Sequence, residues 1–274
     1  MHLKEFLPAA CLSEYVHLYR IIDFEFQDNN PIPAKTYPPR PEQCLQFFPT
    51  TTHIFYPESN TTICPKDALF IGQHTIVNSR TVYKKFLSLQ VVFQPGMLYR
   101  LLGIPQALFS NQAIEASDVF GSDIALVNEQ LYCAGSHVKM IEVVERFLMT
   151  LTKKIKKDAH ALDKAIKFMV TNPGDYTLDK VIKNVFLCHR QFDRKFTERV
   201  GIGAKEFLRV SRFYNAYLTK NKYPAKDWLT IALHCGYYDY QHLSKDYKDF
   251  TGYTPARFFA LDSPERRLGI EETY

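Results

Sequence analysis

Apolar residues recur at helical spacing in the last third of the chain, and the arrangement occurs twice. Leu178, Val181, Ile182, Val185 and Leu187 return fifty positions on as Trp228, Ile231, Ala232, Cys235 and Tyr237. After one inserted residue the offset becomes fifty-one, and Phe192, Phe196, Gly201 and Phe207 return as Leu243, Tyr247, Gly252 and Phe258. In each copy the first set falls at i, i+3, i+4 and i+7, one stripe of a helix. The pair four residues apart, Phe192/Phe196 or Leu243/Tyr247, marks one face of a second helix. Between them lies a short turn: Cys188-His189 in the first copy, Asp239 with Gly236 just before it in the second. The spacing predicts two helix-turn-helix units on one all-α segment. Lys205–Lys220 predicts the helix joining them, about 24 Å long at 1.5 Å per residue. With the unit ends added, the second helices of the two copies are expected roughly one DNA turn, ~34 Å, apart.

Upstream of this segment the pattern changes. Leu162, Ala165, Ile166 and Met169 predict a helix stopped by Asn172-Pro173-Gly174, and Thr177 is the expected N-cap of the next one. A short helix is expected around Ser13–Tyr19. From there to about residue 93 the runs are strand-like, and Pro31, Pro33, Pro38, Pro39 and Pro41 exclude a regular helix early in that stretch. Cys44–Phe48, His53–Tyr56, Ala68–Ile71 and Phe86–Phe93 are short aromatic or β-branched runs bounded by turn residues. Phe47, Phe55, Phe70, Phe86 and Phe93 are the strand-borne aromatics, expected either to pack the interior or to wall a pocket. Met97–Leu102, Ile124–Cys133 and Val138–Leu151 read as helices; the stripe of the last (Val138, Ile141, Val144, Leu148) suits packing on the strands or a dimer contact. The expected class is α+β: a small cupin-like β-barrel with flanking helices over residues 1–152, a basic linker over 153–160, and an all-α domain with two helix-turn-helix motifs over 161–274.

Charge sharpens that division. Residues 153–274 hold 23 Lys+Arg against 15 Asp+Glu, whereas residues 1–152 hold 11 against 14, within a net charge of +5. A polyanion is therefore expected to meet the C-terminal half. Cys11, Cys44, Cys64, Cys133, Cys188 and Cys235 are scattered without a C-x-x-C pair, as in reduced thiols of a cytoplasmic protein. Residues 1–12 are too polar for a signal peptide, and no apolar run reaches the ~18–20 residues of a membrane span. No Gly-rich phosphate loop, His-Glu-x-x-His or Gly-x-Ser-x-Gly occurs. The expectation is a protein that is not an enzyme and needs no cofactor or metal; His53 and His74 lack ligand spacing with Cys44 or Cys64.

The candidate chemistry lies on the second helix of each unit. With Phe192 and Phe196 inward, Arg190, Asp193 and Arg194 project from the opposite side. Arginine can bridge guanine O6 and N7 with two hydrogen bonds; Asp193 either accepts from cytosine N4 or holds Arg194 by a local ion pair, the second being the favoured expectation. With Leu243 and Tyr247 inward, Tyr240, Gln241, His242 and Lys245 come to the groove-facing side. Lys195, Arg199, Lys222 and Lys248 suit phosphate contact, which orients without reading sequence. Double-stranded DNA is the expected partner.

Residues 161–260 resemble the DNA-binding domain of the AraC/XylS transcription regulators. The resemblance rests on Cys188-His189-Arg190-Gln191-Phe192-Asp193-Arg194-Lys195-Phe196, Arg212-Phe213-Tyr214-Asn215-Ala216, Cys235-Gly236-Tyr237 and Phe250-Thr251-Gly252-Tyr253-Thr254-Pro255. It implies seven helices reading two successive major-groove segments, with Arg190, Asp193, Arg194, Tyr240, Gln241, His242 and Lys245 facing bases. Cys188 stands where a Ser or Thr cap is usual, Phe186 where a small turn residue is usual, and Phe259 where Arg is common. The N-terminal half looks like a sensor-type domain, which in relatives binds an effector or dimerises. RNA polymerase, a small-molecule effector and a second copy of the chain are further partners the resemblance admits, with activation as the default sign. Two rival readings remain at this point: an N-terminal half that is only a protein-interaction module, and a DNA-acting enzyme that borrows the binding domain. The second would call for a four-Cys zinc site with a reactive cysteine, which these isolated cysteines do not suggest.

Overall fold

Alternation along Phe86–Phe93 organises the N-terminal half. Leu87, Leu89, Val91 and Phe93 belong to one apolar cluster, while Phe86 belongs to another on the opposite face of the same strand. The computed structural model describes residues 2–25, 34–82, 85–172, 177–261 and 272–273; the expected breakers Pro31, Pro33 and Pro173-Gly174 lie outside the described residues. The strands are β1 (His2–Phe6), β2 (Val16–Glu25), β3 (Lys35–Tyr37), β4 (Cys44–Phe47), β5 (Ile54–Tyr56), β6 (Thr61–Ile63), β7 (Ala68–Ile71), β8 (Asn78–Val82), β9 (Lys85–Phe93), β10 (Ala113–Glu115) and β11 (Glu272–Thr273). The helices are α1 (Met97–Leu102), α2 (Ser117–Phe120), α3 (Asp123–Tyr132), α4 (His137–Thr152), α5 (Ala161–Thr171), α6 (Leu178–Asn184), α7 (His189–Val200), α8 (Ala204–Lys222), α9 (Trp228–His234), α10 (Tyr240–Thr251) and α11 (Pro255–Leu261). The molecule is α+β, with an N-terminal sheet domain and a C-terminal helical domain.

The expected closed barrel is instead two sheets. One has seven strands in the order β10-β7-β4-β9-β2-β1-β11; the other has four in the order β3-β8-β5-β6. Among the described residues no ladder joins them into a closed ring. The larger sheet has two different tasks on its two faces. Phe47, Phe70, Leu89, Val91 and Phe93 pack against Ile124, Val127, Val144, Phe147 and Leu148 of α3 and α4. The other face contributes Phe24, Leu69 and Phe86, which meet Ile54 of the smaller sheet. The strand-borne aromatics are thus divided between faces rather than gathered in one interior.

The helix expected around Ser13–Tyr19 is replaced by a single 3-10 turn, Ala10–Leu12, and the start of β2. A register irregularity between Val16 and Leu18 explains the misleading signal. A bulge shifts the period-2 alternation by one residue, so Val16 and Tyr19 both enter the core although three apart. That spacing imitates a helix.

Polar groups on the face of the large sheet toward the small one are paired in register. Glu5 opposes Arg20, Arg20 opposes Gln90, and Gln90 opposes Gln46 across four strands. Arg20 Nε donates to Glu5 at 2.8 Å and its Nη1 to Gln90 at 3.1 Å. Gln46 donates to Ser88 Oγ at 3.1 Å. Most of this buried polar rung is satisfied by its own members, the exception being Gln46 Oε1, which has no hydrogen-bond partner.

The helical domain has its own core, in which Leu162, Ile166, Phe192, Phe196, Phe207, Val210, Phe213, Ile231, Leu243, Tyr247 and Phe258 are buried. The two domains are in contact along α7, which touches α1 and the 3-10 turn Gln106–Phe109. Lys156 and Lys157 N–H groups both donate to the Arg100 carbonyl, at 3.0 and 3.1 Å. Gly72 is required by close approach: a Cβ there would lie 2.0 Å from the Phe109 carbonyl oxygen. The end of β7 can therefore lie against the 3-10 turn only with glycine at this position.

Candidate nucleic-acid interface

The sequence repeat is a structural repeat. Helices α6 and α9 each have seven residues, and α7 and α10 each have twelve. Val185 and Cys235 are buried at the corners, and the next residues, Phe186 and Gly236, both adopt positive φ, 55° and 78°. Phe186 N–H donates to Lys183 O at 3.3 Å, and Gly236 N–H to Leu233 O at 3.2 Å, the same bond fifty residues apart. The inserted residue of the second copy is Tyr238, which is exposed. Helix α8 has nineteen residues, about 28 Å at 1.5 Å per residue.

The start of each twelve-residue helix is built differently. Asp239 Oδ1 accepts the His242 N–H at 2.7 Å, a charged N-cap. Cys188 offers only a thiol sulfur, a weak acceptor, in a reciprocal cap with Gln191; its own N–H donates to Gln191 Oε1 at 3.4 Å. Thr177, at the N-cap of α6, makes no side-chain capping hydrogen bond.

Phe192, Phe196, Leu243 and Tyr247 are all buried, which fixes the opposite faces of α7 and α10 outward. Arg190, Asp193 and Arg194 are exposed on α7, and Tyr240, Gln241 and Lys245 on α10. His242 is half-buried, with its ring edge-on to Tyr237 at 5.2 Å. Lys195 is half-buried, its Nζ 3.4 Å from His160 Nε2. The ion-pair partner of Arg194 is Glu198, one turn on at 3.9 Å, rather than Asp193. Lys222 and Lys248 are exposed.

Arg199, expected at the phosphate backbone, is buried instead. Its Nε donates to Asp163 Oδ1 at 2.8 Å, and its guanidinium lies over the Tyr99 ring at 5.0 Å. The other oxygen of Asp163 accepts the His160 N–H at 2.8 Å, while His160 Nδ1 accepts the Leu162 N–H at 3.0 Å, closing a reciprocal cap on α5. Burial, then the Lys195 and Arg199 charges, hold the His160 imidazole below its ordinary pKa. In α10 the corresponding anchor is Asp246, buried and bound by Arg209 of α8 at 2.8 Å. Sequence reading missed both carboxylates. The available signal was an acid on the apolar side of its helix, Asp163 next to Leu162 and Asp246 next to Tyr247.

Both DNA-candidate helices are held at their C-terminal ends by the sheet domain. Ser110 Oγ donates to the Gly201 carbonyl at 2.7 Å, just past α7. Val77 N–H donates to the Phe250 carbonyl at 3.1 Å, in the last turn of α10. At Gly201 φ is +100°, and a Cβ would lie 2.9 Å from Ser110 Oγ, so glycine is needed for both conformation and contact. The two gripping loops are themselves joined: Thr75 N–H donates to Asn111 Oδ1 at 2.7 Å, and Asn111 N–H to Gln73 O at 2.9 Å.

All six cysteines are free thiols. Among the described residues, no three His, Cys, Asp or Glu side chains are grouped closely enough to hold a metal ion. No helix among them is long and apolar enough to cross a membrane.

A family model described as a domain of unknown function (DUF6597) matches residues 4–115, the stretch from β1 to the end of β10. No curated protein matches the chain. Among solved structures, the chain is similar to ToxT from Vibrio cholerae O395, with 11% identity and a TM-score of 0.47 over 90% of this chain and 98% of that one. It is similar to unsaturated fatty acid bound ToxT from V. cholerae strain SCE256, with 10% identity and a TM-score of 0.45 over 88% and 93% of the two chains. It is also similar to the AraC-like transcriptional activator CuxR, with 16% identity and a TM-score of 0.25 over 78% and 86%.

Proposed function

We propose that this protein is a sequence-specific DNA-binding transcription regulator of the AraC/XylS type. The observation that carries the reading is the repeated helix pair, taken as two helix-turn-helix units. Two equal helices, each seated on two buried apolar side chains, turn charged and amide-bearing groups outward at matched positions. In this reading Arg190, Asp193 and Arg194 face one major-groove segment, and Tyr240, Gln241, His242 and Lys245 face the next. Lys195, Lys222 and Lys248 contact phosphate. The charge surplus of residues 153–274 supplies the attraction to the duplex.

The N-terminal half is the regulatory part, with residues 153–160 as the link. A cavity of about 620 Å³ between the sheets supports effector binding over a purely docking role. Activation through RNA polymerase, in the cytoplasm, extends the same reading from the family resemblance, as does self-association. The test is a titration of the full chain with duplex DNA at several salt concentrations. The logarithm of the affinity should fall linearly with the logarithm of salt, because bound basic residues displace counterions. Absence of binding at low salt, or an affinity indifferent to salt, overturns the proposal.

A further inference from the structure

Lys153, Lys154, Lys156 and Lys157 follow α4 within five residues, with one carboxylate, Asp158, directly after them. All four lysines are exposed. Among the described residues, none of the four has a carboxylate within ion-pair distance. Two acids of the surrounding elements are engaged elsewhere: Glu14 binds Arg100 at 2.5 Å and Asp163 binds Arg199 at 2.8 Å.

A run of like charge between domains ordinarily repels itself into a loose linker. This one is fixed. Lys154 N–H donates to Leu151 O at 2.9 Å, and the Lys156 and Lys157 N–H groups hold the Arg100 carbonyl. The Lys156 stem lies against the C-cap of α1: at Gly103, where φ is +74°, a Cβ would come within 2.9 Å of Lys156 Cβ. Lys157 Nζ lies 5.8 Å from the centre of the Tyr99 ring, which also carries the Arg199 guanidinium of α7. The lysines therefore stand on an ordered backbone, whose entropy is lost on folding rather than on meeting a partner.

This ridge reaches the flank of α7. Lys195 is half-buried there, one turn before Arg199, and its Nζ lies 3.4 Å from Nε2 of His160, three residues after Lys157. Burial and the neighbouring cations keep the His160 ring neutral near pH 7, so it does not compensate the Lys195 charge. A helix about 10–12 Å across fills a major groove about 12 Å wide, so each flank of a reading helix lies along a phosphate strand. We infer that residues 153–157 are a second DNA-contacting surface, whose lysines bind phosphates of the strand bordering the Lys195 flank of α7. The inference rests on the DNA-binding reading above. Such a contact reads no bases; it adds affinity and fixes the sheet domain against the duplex, because the loop is bonded to α1.

The experiment uses the full chain and a duplex that it selects from a random pool. Each phosphate contact contributes about 0.9 to the slope of log affinity against log salt. Lys153→Gln, Lys154→Gln, Lys156→Gln and Lys157→Gln together should lower that slope by at least about 1.8, two contacts. Lysine-to-arginine changes at the same four positions should keep it, which separates charge from misfolding. Lys4→Gln, Lys66→Gln, Lys85→Gln and Lys139→Gln together make an equal charge change on exposed residues of the sheet domain, and should leave the slope unaltered. A smaller drop in the first variant, or a comparable drop in the second, overturns the inference while DNA binding stands. Neutral methylphosphonate linkages then locate the contact. Beside the half-site whose preference Arg194→Ala relaxes, some linkages should weaken the unaltered chain and not the first glutamine variant. Equal losses for both proteins at every linkage also overturn the contact. No binding of the unaltered chain at low salt overturns the DNA reading, and this surface with it.

Discussion

Phe186 and Gly236 occupy the same left-handed position in two equivalent turns, and the aromatic one is 93% exposed. A non-glycine residue in that conformation costs roughly 1–2 kcal/mol, whereas glycine costs about 0.4–1 kcal/mol more chain entropy on folding. The exposed ring gains almost no burial in exchange. Phe186→Gly is therefore expected to stabilise the chain by roughly 0.5–1 kcal/mol, measured as an upward shift of the denaturant midpoint at unchanged slope. A downward shift would mean that the ring makes a stabilising contact.

The N-caps give a second comparison between the copies. Asp239→Ala should cost about 0.5–2 kcal/mol, because the His242 N–H loses its acceptor. Cys188→Ser replaces the weak sulfur acceptor of α7 with a hydroxyl and should gain a fraction of that amount. Paired thermal melts check both, and a destabilised Cys188→Ser would show that the thiol packs better than a hydroxyl caps.

Basic residues on α7 and α10 should divide into two kinds. Arg194→Ala should cost about 1–3 kcal/mol of DNA affinity if the guanidinium pairs with a guanine, relaxing preference at one position of one half-site. Lys245→Ala should act on the other half-site, and Lys195→Ala should weaken specific and random DNA alike. Arg199→Ala belongs to the other kind. It leaves the buried Asp163 with only Arg100, at 4.0 Å, as a cation partner, so the loss of stability should approach but not exceed the roughly 3–5 kcal/mol of a broken buried pair. Competition assays with specific and random duplexes, run beside denaturant titrations, separate these outcomes. Equal losses on both DNAs for Arg194 and Lys245 would overturn the assignment of the reading helices.

Acidification should weaken the start of α5. His160 has a pKa held below its ordinary 6.5 in the fold, first by burial and then by Lys195 and Arg199. The unfolded chain therefore takes up this proton at higher pH than the folded one. The stabilisation is fully present above the ordinary value and is lost as pH falls through the lowered one. Protonation also removes the Nδ1 acceptor for the Leu162 N–H. His160→Asn keeps a capping side chain without a titrating group, so its thermal midpoint should fall less steeply than that of the unaltered chain between about pH 7 and 5. Parallel acid limbs for the two proteins would exclude His160 as a contributor.

The amino-acid sequence alone determined the helical domain, because its information there is local and repeated. Helical spacing at Leu178–Leu187 and Trp228–Tyr237, with the pairs Phe192/Phe196 and Leu243/Tyr247, states which faces are buried before any long-range contact is known. The second turn follows from Gly236; the first, expected at Cys188-His189, lies instead at Val185-Phe186, and His189 already belongs to α7. The outward faces of α7 and α10 follow in turn, since a helix that buries two residues four apart must expose the opposite side.

Tertiary structure decided what depends on partners far apart in the chain. The bulge at Val16–Leu18 gives β2 a helix-like spacing that its ladder with β9 overrides. Arg199 is indistinguishable from a phosphate-contacting residue until Asp163, thirty-six positions earlier, is beside it. The lysines of residues 153–157 read as an ordinary linker until their loop is bonded to the Arg100 carbonyl. Short strands such as β3 and β8 carry too few residues to declare themselves. Their pairing, and the loops that grip the ends of α7 and α10, are defined only in the folded chain, because strand partners are chosen by long-range register and not by local preference.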